Sequence, residues 1–281
     1  MSRDTIAIDI DEVLGAFLKS LCLHINVLGF EGSVTSSGST ASATSSKTWT
    51  PEDFSSYHFN DAWGIDETVA HATMTRFFSS SHFAEIKPLG GAKEVLLKHK
   101  KHFRFIVVTS RNSNLGDQTR EWLNKHFDGC FEDVMFGSAY GPGLRRTKSE
   151  MCKEINAIML VDDNPHYAAE ASPVLKTSVL FGDYAWNRNP IGVSLPPNVL
   201  RINDWKTLDQ ALTVMFEKRE LIERLQKVQE KAQIEDATDS AKKKNLIDVV
   251  RETHDLVNSL LLLHDENAIN RVEEFLSLIA L

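Results

Sequence analysis

Asp9 and Asp11 are the first residues of the chain whose types and spacing could do chemistry, for they close the apolar run Ile6, Ala7, Ile8, Ile10. A short apolar run of this kind suits a buried strand of a parallel sheet. Successive side chains of a strand face opposite ways, so residues 9 and 11 are expected on one side. Two carboxylates aimed into one crevice repel unless a cation neutralises them or one keeps its proton. Hard oxygen ligands with open positions suit Mg2+ better than zinc or copper. Taken alone, the Asp-x-Asp pair reads equally well as a solvated turn.

Other expected strand ends carry polar groups too. Residues 103–110, FRFIVVTS, run into Thr109 and Ser110, and residues 157–161, AIMLV, run into Asp162-Asp163-Asn164-Pro165. Lys148 opens a helix over 148–155, with Lys153 as its rival for any anion-binding role. Further strands are expected at 131–136, 177–181 and 200–202. Helices are expected at 16–28, with Phe17, Leu18, Leu21, Leu23 and Val27 on the apolar face and a stop at Gly29, and at 92–101. Another opens at Asn114 or Asp117 with Trp122 and Leu123 inward. Alternation of strand and helix predicts an α/β fold with a doubly wound parallel sheet, whose crevices form at the carboxyl ends of the strands.

Residues 33–48 are rich in Ser and Thr and hold almost no large apolar group, which predicts a disordered insertion. The stretch after it is aromatic: Trp49, Phe54, Tyr57, Phe59, Trp63, Phe77, Phe78 and Phe83. Thr50-Pro51 reads as a helix cap, and Asp66 opens a helix to about residue 79. These aromatics are expected to form the core of a small helical unit, a minority of them lining a pocket if that unit sits over the acids. His99 and His102, among Lys98, Lys100 and Lys101, read as a solvated helix end. From residue 207 onward only helix is expected: an amphipathic one over 208–232, then a hairpin of 245–263 and 268–281. The apolar tail needs cover from the chain itself, a second copy or a protein partner.

The net charge of −8 argues against nucleic-acid and anionic-membrane surfaces. The chain has no apolar run of about 18 residues to span a bilayer and no signal-peptide pattern, so a cytoplasmic location is expected. Cys22, Cys130 and Cys152 match no zinc or redox spacing and read as reduced thiols.

The stretches DIDEVLGAF, IKPLGGAKE, VVTSRN, TKSEMCKE, LVDDNPHYA and INDW, in this order, resemble the haloacid dehalogenase-like phosphatases, and within them the 5′(3′)-deoxyribonucleotidase-type branch. The likeness covers roughly residues 5–210. It implies a Rossmann-like core from 1–15 and 88–206, a helical cap from 16–87 inserted after the first strand, and a C-terminal helical extension, 207–281, outside the likeness. It further implies Mg2+-dependent hydrolysis of a small phosphomonoester, a nucleoside 5′-monophosphate being the best single expectation. By the resemblance, Asp9 is the nucleophile and a metal ligand. Asp11 is the acid–base group and binds the metal through its backbone carbonyl. Thr109, Ser110 and Lys148 hold the phosphate; Asp163 is a direct metal ligand and Asp162 supports Lys148. Arg111, after the Ser/Thr pair, either reaches the phosphate or forms a structural ion pair, while His166 and Tyr167 are expected to pack. The chain departs from the branch at Glu12, where many relatives carry Gly, and at Arg111, where the branch has Pro.

Two other functions compete. A scaffold or assembly subunit could keep the fold and dock through its C-terminal helices, but it has no physical need for four converging polar motifs. A nucleic-acid 3′-end phosphatase would share the chemistry, and the acidic balance speaks against it.

Overall fold

A computed structural model describes residues 3–31, 47–138, 145–188 and 194–234. In chain order these form β1 (Asp4–Ile8), α1 (Phe17–Leu28), α2 (Phe59–Trp63), α3 (Glu67–Phe78), α4 (Ser81–Ala84), α5 (Ala92–His99) and β2 (Phe103–Thr109). There follow α6 (Gly116–Phe127), β3 (Asp133–Phe136), α7 (Lys148–Glu154), β4 (Ala157–Asp162), α8 (Pro165–Ala171), β5 (Thr177–Phe181), β6 (Val199–Ile202) and α9 (Trp205–Ile234).

The strands make one parallel, six-stranded sheet in the order β3-β2-β1-β4-β5-β6. This is the expected doubly wound arrangement, and its central strands are apolar on both faces because helices cover both. From β1 the chain builds outward through β2 and β3, then returns to β4 on the other side of β1. The order therefore reverses between β1 and β4, where an open α/β sheet leaves a crevice beyond its strand ends. Ile8 pairs with Val161 and with Val107, so β1, β4 and β2 run out side by side at that crevice, β4 one residue and β2 two residues beyond the end of β1.

Local signals in the sequence account for the boundaries. Gly29 ends α1 at φ 67°, a conformation glycine adopts without strain. Thr50 caps a single 3-10 turn, Pro51–Asp53, rather than a full helix. Asp66 caps α3 through Thr68 N at 2.8 Å, as its position predicts. A 3-10 turn, Ser113–Leu115, precedes α6, so the helix starts at Gly116, between the two expected openings. Trp122 and Leu123 are buried.

Several expectations need correction. β1 stops at Ile8, short of the alternation expected to run through Asp11, because the chain turns at once: the amides of Val13, Leu14 and Gly15 all donate to Ile10 O. β3 begins at Asp133 rather than at residue 131. On α1, Leu18, Leu21, Cys22 and Ile25 form the buried stripe. Leu23 and Val27, read as inward, are 54% and 67% exposed because they fall outside that i, i+3, i+4, i+7 series. His99, read as solvated, is buried on the same face of α5 as Val95 and Leu96, with its ring centroid 6.2 Å from Phe103. The first of the expected C-terminal helices, placed at 208–232, is α9, and it spans Trp205–Ile234. Residues 33–46 of the expected insertion, and the whole hairpin of 245–281, lie outside the described residues.

The chain divides into two compact units, Met1–Trp205 and Lys206–Leu281. All the strands among the described residues, and every site residue discussed below, lie in the first. Among the described residues no helix is long and apolar enough to cross a membrane.

Candidate active site

The end of β4 supplies two of the acids. Asp162 is its last residue, and Asp162 Oδ1 accepts from Asn164 N at 2.9 Å. Asn164 in turn caps α8 by accepting from His166 N, with Pro165 in the first helical position. The sequence VDDNP thus reads as strand, acids, cap and helix start, and it fixes Asp162 and Asp163 at the crevice. Asp9 follows β1, and its amide donates to Val161 O at 2.9 Å, which holds it against β4. Carboxylate oxygens of Asp9, Asp162 and Asp163 lie within 4.8 Å of one another, all three residues buried.

Lys148 reaches these acids from the start of a helix. Thr147 and Glu150 form a capping box that starts α7, which makes Lys148 its first residue. The side chain is 1% exposed, and its Nζ contacts Asp9 Oδ1 at 2.5 Å, Val108 O at 2.6 Å and Asp162 Oδ2 at 3.0 Å. Lys148 is therefore the lysine that meets these acids, while Lys153 is exposed. Trp186 Nε1 donates to Asp163 Oδ2 at 2.9 Å, and Asn187 Nδ2 bridges Asp163 O and Phe181 O.

One ammonium faces three buried carboxylates. Burial, followed by the charges of Asp162 and Asp11, raises Asp9 to about 7 despite the opposing pull of Lys148. Asp163 is held well above the usual carboxylate range by burial, then by Asp162, Asp9 and Glu12, with the Trp186 hydrogen bond working against the rise. Burial disfavours the charged form of Lys148, but Asp162 and Asp9 outweigh it and hold the ammonium above its ordinary range. The charge deficit, together with three hard oxygen donors at one point, fits a divalent cation. Asp9, Asp162 and Asp163 are the side chains that could hold it.

Asp11 does not join this group through its side chain. Arg111 takes its carboxylate in a two-point fork, Nη2 to Oδ1 at 2.6 Å and Nε to Oδ2 at 3.0 Å. The ion-pair alternative for Arg111 is thus the one the structure displays. Thr109 is buried and accepts from Arg111 N at 3.2 Å, while Ser110 is half-buried and shares a hydrogen bond with the Tyr167 hydroxyl. Tyr167 was expected only to pack; its ring lies 5.5 Å from Lys148 Nζ and meets Tyr57 edge-on at 5.9 Å. Tyr57 is half-buried, and its contact with Tyr167 brings a ring of the 16–87 segment to the side chain that neighbours Lys148; desolvation, then Tyr167 and the acids Asp163 and Asp9, raise its phenol above the usual value.

Glu12 occupies the left-handed region at φ 59° and is buried. Its Oε1 accepts from Leu18 N at 2.6 Å and so caps α1, whose own N-cap, Ala16, has no side-chain acceptor. Burial pushes this carboxyl up to about 8. Tyr184 Oη donates to Glu12 O, and Trp205 Nε1 to Val13 O, which pins the turn after β1. The structure thus brings Asp9, Lys148, Asp162 and Asp163 together, keeps Thr109 and Ser110 at the adjacent strand end, and ties Asp11 to Arg111. Sequence reasoning missed Trp186, Asn187, Tyr184 and the placement of Tyr57. The signal was present in GDYAWN, a polar and aromatic cluster directly after β5 on the same edge as the other motifs.

No family model matches the chain. A curated protein of Halalkalibacterium halodurans, whose name proposes a nucleotidase, is 24% identical over 159 residues, or 57% of this chain and 75% of that protein. A solved structure from Clostridium acetobutylicum, described as a predicted phosphatase, superposes with TM-score 0.52 at 15% identity over 76% of this chain and 99% of its own. One from Bacteroides fragilis, described as a haloacid dehalogenase-like hydrolase, gives TM-score 0.50 at 10% identity over 73% and 99%. With the sheet order and the acids at its reversal point, these matches show that the chain has the fold of the haloacid dehalogenase-like hydrolases.

Proposed function

We propose that the chain is a Mg2+-dependent phosphomonoester hydrolase acting through a phosphorylated Asp9, on a small phosphometabolite such as a nucleoside 5′-monophosphate. One observation carries the reading: three buried carboxylates and one buried ammonium converge where the strand order reverses. A structural role offers no return for that much mutual repulsion, whereas phosphoryl transfer requires a nucleophile, cations against the phosphate oxygens and an acid for the leaving group. The name of the Halalkalibacterium halodurans relative supports the nucleotide end of the range, and the sequence likeness to the deoxyribonucleotidase-type branch supports it too.

In this reading Lys148 holds one oxygen of Asp9, and the other attacks phosphorus. Lys148, Thr109 and Ser110 stabilise negative charge on the transferring group. Asp11 protonates the leaving alcohol and then takes a proton from the hydrolytic water. Asp9, Asp162 and Asp163 would hold the metal with help from the Asp11 carbonyl, and the bound metal neutralises charge on the phosphate and on the acids themselves. We read residues 16–87 as a cap over this crevice, with Tyr57 as its foremost residue. The chain's three cysteines, buried and free, suit a reducing, cytoplasmic setting. The test is phosphate release with Mg2+ from nucleotides, sugar phosphates and simple phosphomonoesters side by side, with Asp9→Asn as the blank. Turnover confined to the unsubstituted protein supports the reading. Folded, Mg2+-binding protein that releases phosphate from nothing would overturn it.

A further inference from the structure

Arg111 is bound more elaborately than an ion pair needs. Its Nη2 and Nε fork the two oxygens of Asp11, its Nη1 donates to Thr119 Oγ1 on α6 at 3.2 Å, and its amide donates to Thr109 Oγ1. The guanidinium carbon lies 4.8 Å from the ring centroid of Phe83 on α4. All three guanidinium nitrogens are therefore engaged, Nε and Nη2 on Asp11 and Nη1 on Thr119, which fixes the plane of the group. The burial is unequal: the Arg111 side chain is 5% exposed, whereas that of Asp11 is 28% exposed. A pair that served only the core would bury both partners. Here a rigidly anchored cation presents a carboxylate in one fixed plane at the edge of the crevice.

We infer that Arg111 is the positioning residue for Asp11, setting the orientation in which that group meets the leaving oxygen and tying it to the 16–87 segment through Phe83. The inference rests on the phosphatase reading. In the first transfer an Asp9 oxygen bonds to phosphorus while the bond from phosphorus to the leaving oxygen breaks. The electron pair stays on that oxygen, and Asp11, protonated by the hydrolytic water of the preceding turnover, gives it a proton and is left as the carboxylate that Arg111 forks. An alkoxide needs that proton before it can leave; a nitrophenolate, already stable as an anion, does not. A correctly aimed acid contributes on the order of 10² to 10⁴-fold where it is needed.

The experiment is single-turnover release of the alcohol product with enzyme and Mg2+ in excess, which isolates the first transfer, using an alkyl phosphate and p-nitrophenyl phosphate. Arg111→Lys keeps the charge and loses the fork, and Arg111→Gln loses both. Both variants are expected to slow the alkyl phosphate by roughly 10²-fold and the nitrophenyl ester by less than about threefold. Thr119→Val removes one anchor with little change of shape and is expected to give the same selective loss, several-fold in size, which keeps the test decisive if the arginine variants fold poorly. Equal losses on both substrates would mean a structural or phosphate-binding role and would overturn the inference, as would wild-type rates in Arg111→Lys. Release from neither substrate by the unsubstituted protein would instead overturn the phosphatase reading itself.

Discussion

At the scale of single residues, the site is a balance of like charges around one lysine. Asp163 is buried beside Asp162 and Asp9, and the neutral indole of Trp186 donates a hydrogen bond to it. Asp163→Asn should therefore raise the unfolding temperature of the metal-free protein, because it removes a carboxylate that the fold must hold against repulsion. The same change should erase the stabilisation that added Mg2+ gives the unsubstituted protein. A metal-free variant that melts lower, with the Mg2+ increment intact, would contradict this account of the cluster. Lys148 is the opposite case: Lys148→Met leaves buried acids without a partner and is expected to destabilise by about 3–5 kcal/mol, measured by denaturant unfolding without metal. Both residues were legible in the sequence because each stands at the boundary of an element whose apolar pattern is unambiguous. The fork between Arg111 and Asp11 was not, since it joins positions 100 residues apart and depends on a turn that strand periodicity cannot foresee.

At the scale of elements, short caps decide where chemical groups stand. Thr147→Ala removes the cap of α7 and should lower stability by about 1 kcal/mol. Because Lys148 is the next residue, turnover should fall with it. Asp66→Ala removes the cap of α3, far along the chain from the strand ends, and should lower stability alike while sparing turnover. Equal effects of both on turnover would argue against a special role for the α7 start. The helices between β1 and β2 meet around His24 of α1, whose Nδ1 faces His82 Nδ1 of α4 at 3.3 Å and whose Nε2 accepts from Arg76 Nε of α3. Burial, then Arg76 and His82, lower His24 to about 4 against an ordinary 6.5. Between those values the unfolded chain binds the proton and the folded chain does not, so the contribution of His24 to stability should rise with pH from about 4 to 6.5, against the fall that the raised carboxyls of Asp9, Asp163 and Glu12 impose. Thermal unfolding across that range should show a more negative dependence on pH in His24→Gln than in the unsubstituted protein; an unchanged slope would contradict it. Element types and order were readable throughout the sheet, because the buried strands are nearly uninterrupted apolar runs. The inward face of α1 was misread at Leu23 and Val27 because every large apolar residue was assigned to one stripe.

At the scale of the whole molecule, the doubly wound order explains why motifs from distant parts of the chain meet: β1, β2 and β4 are neighbours and end within two residues of one another. The first unit, Met1–Trp205, holds every group assigned a role, so removing residues 235–281 should leave Mg2+-dependent turnover unchanged. A large loss on that truncation would give the C-terminal unit a part in the site. The central claim, however, is that Asp9 carries the phosphoryl group. Its most direct test is mass spectrometry of protein mixed with Mg2+ and a turned-over phosphomonoester, then quenched in acid within one turnover. The account predicts one added phosphoryl group on the peptide that contains Asp9, and none in Asp9→Asn. Turnover with no such adduct, and undiminished in Asp9→Asn, would contradict it.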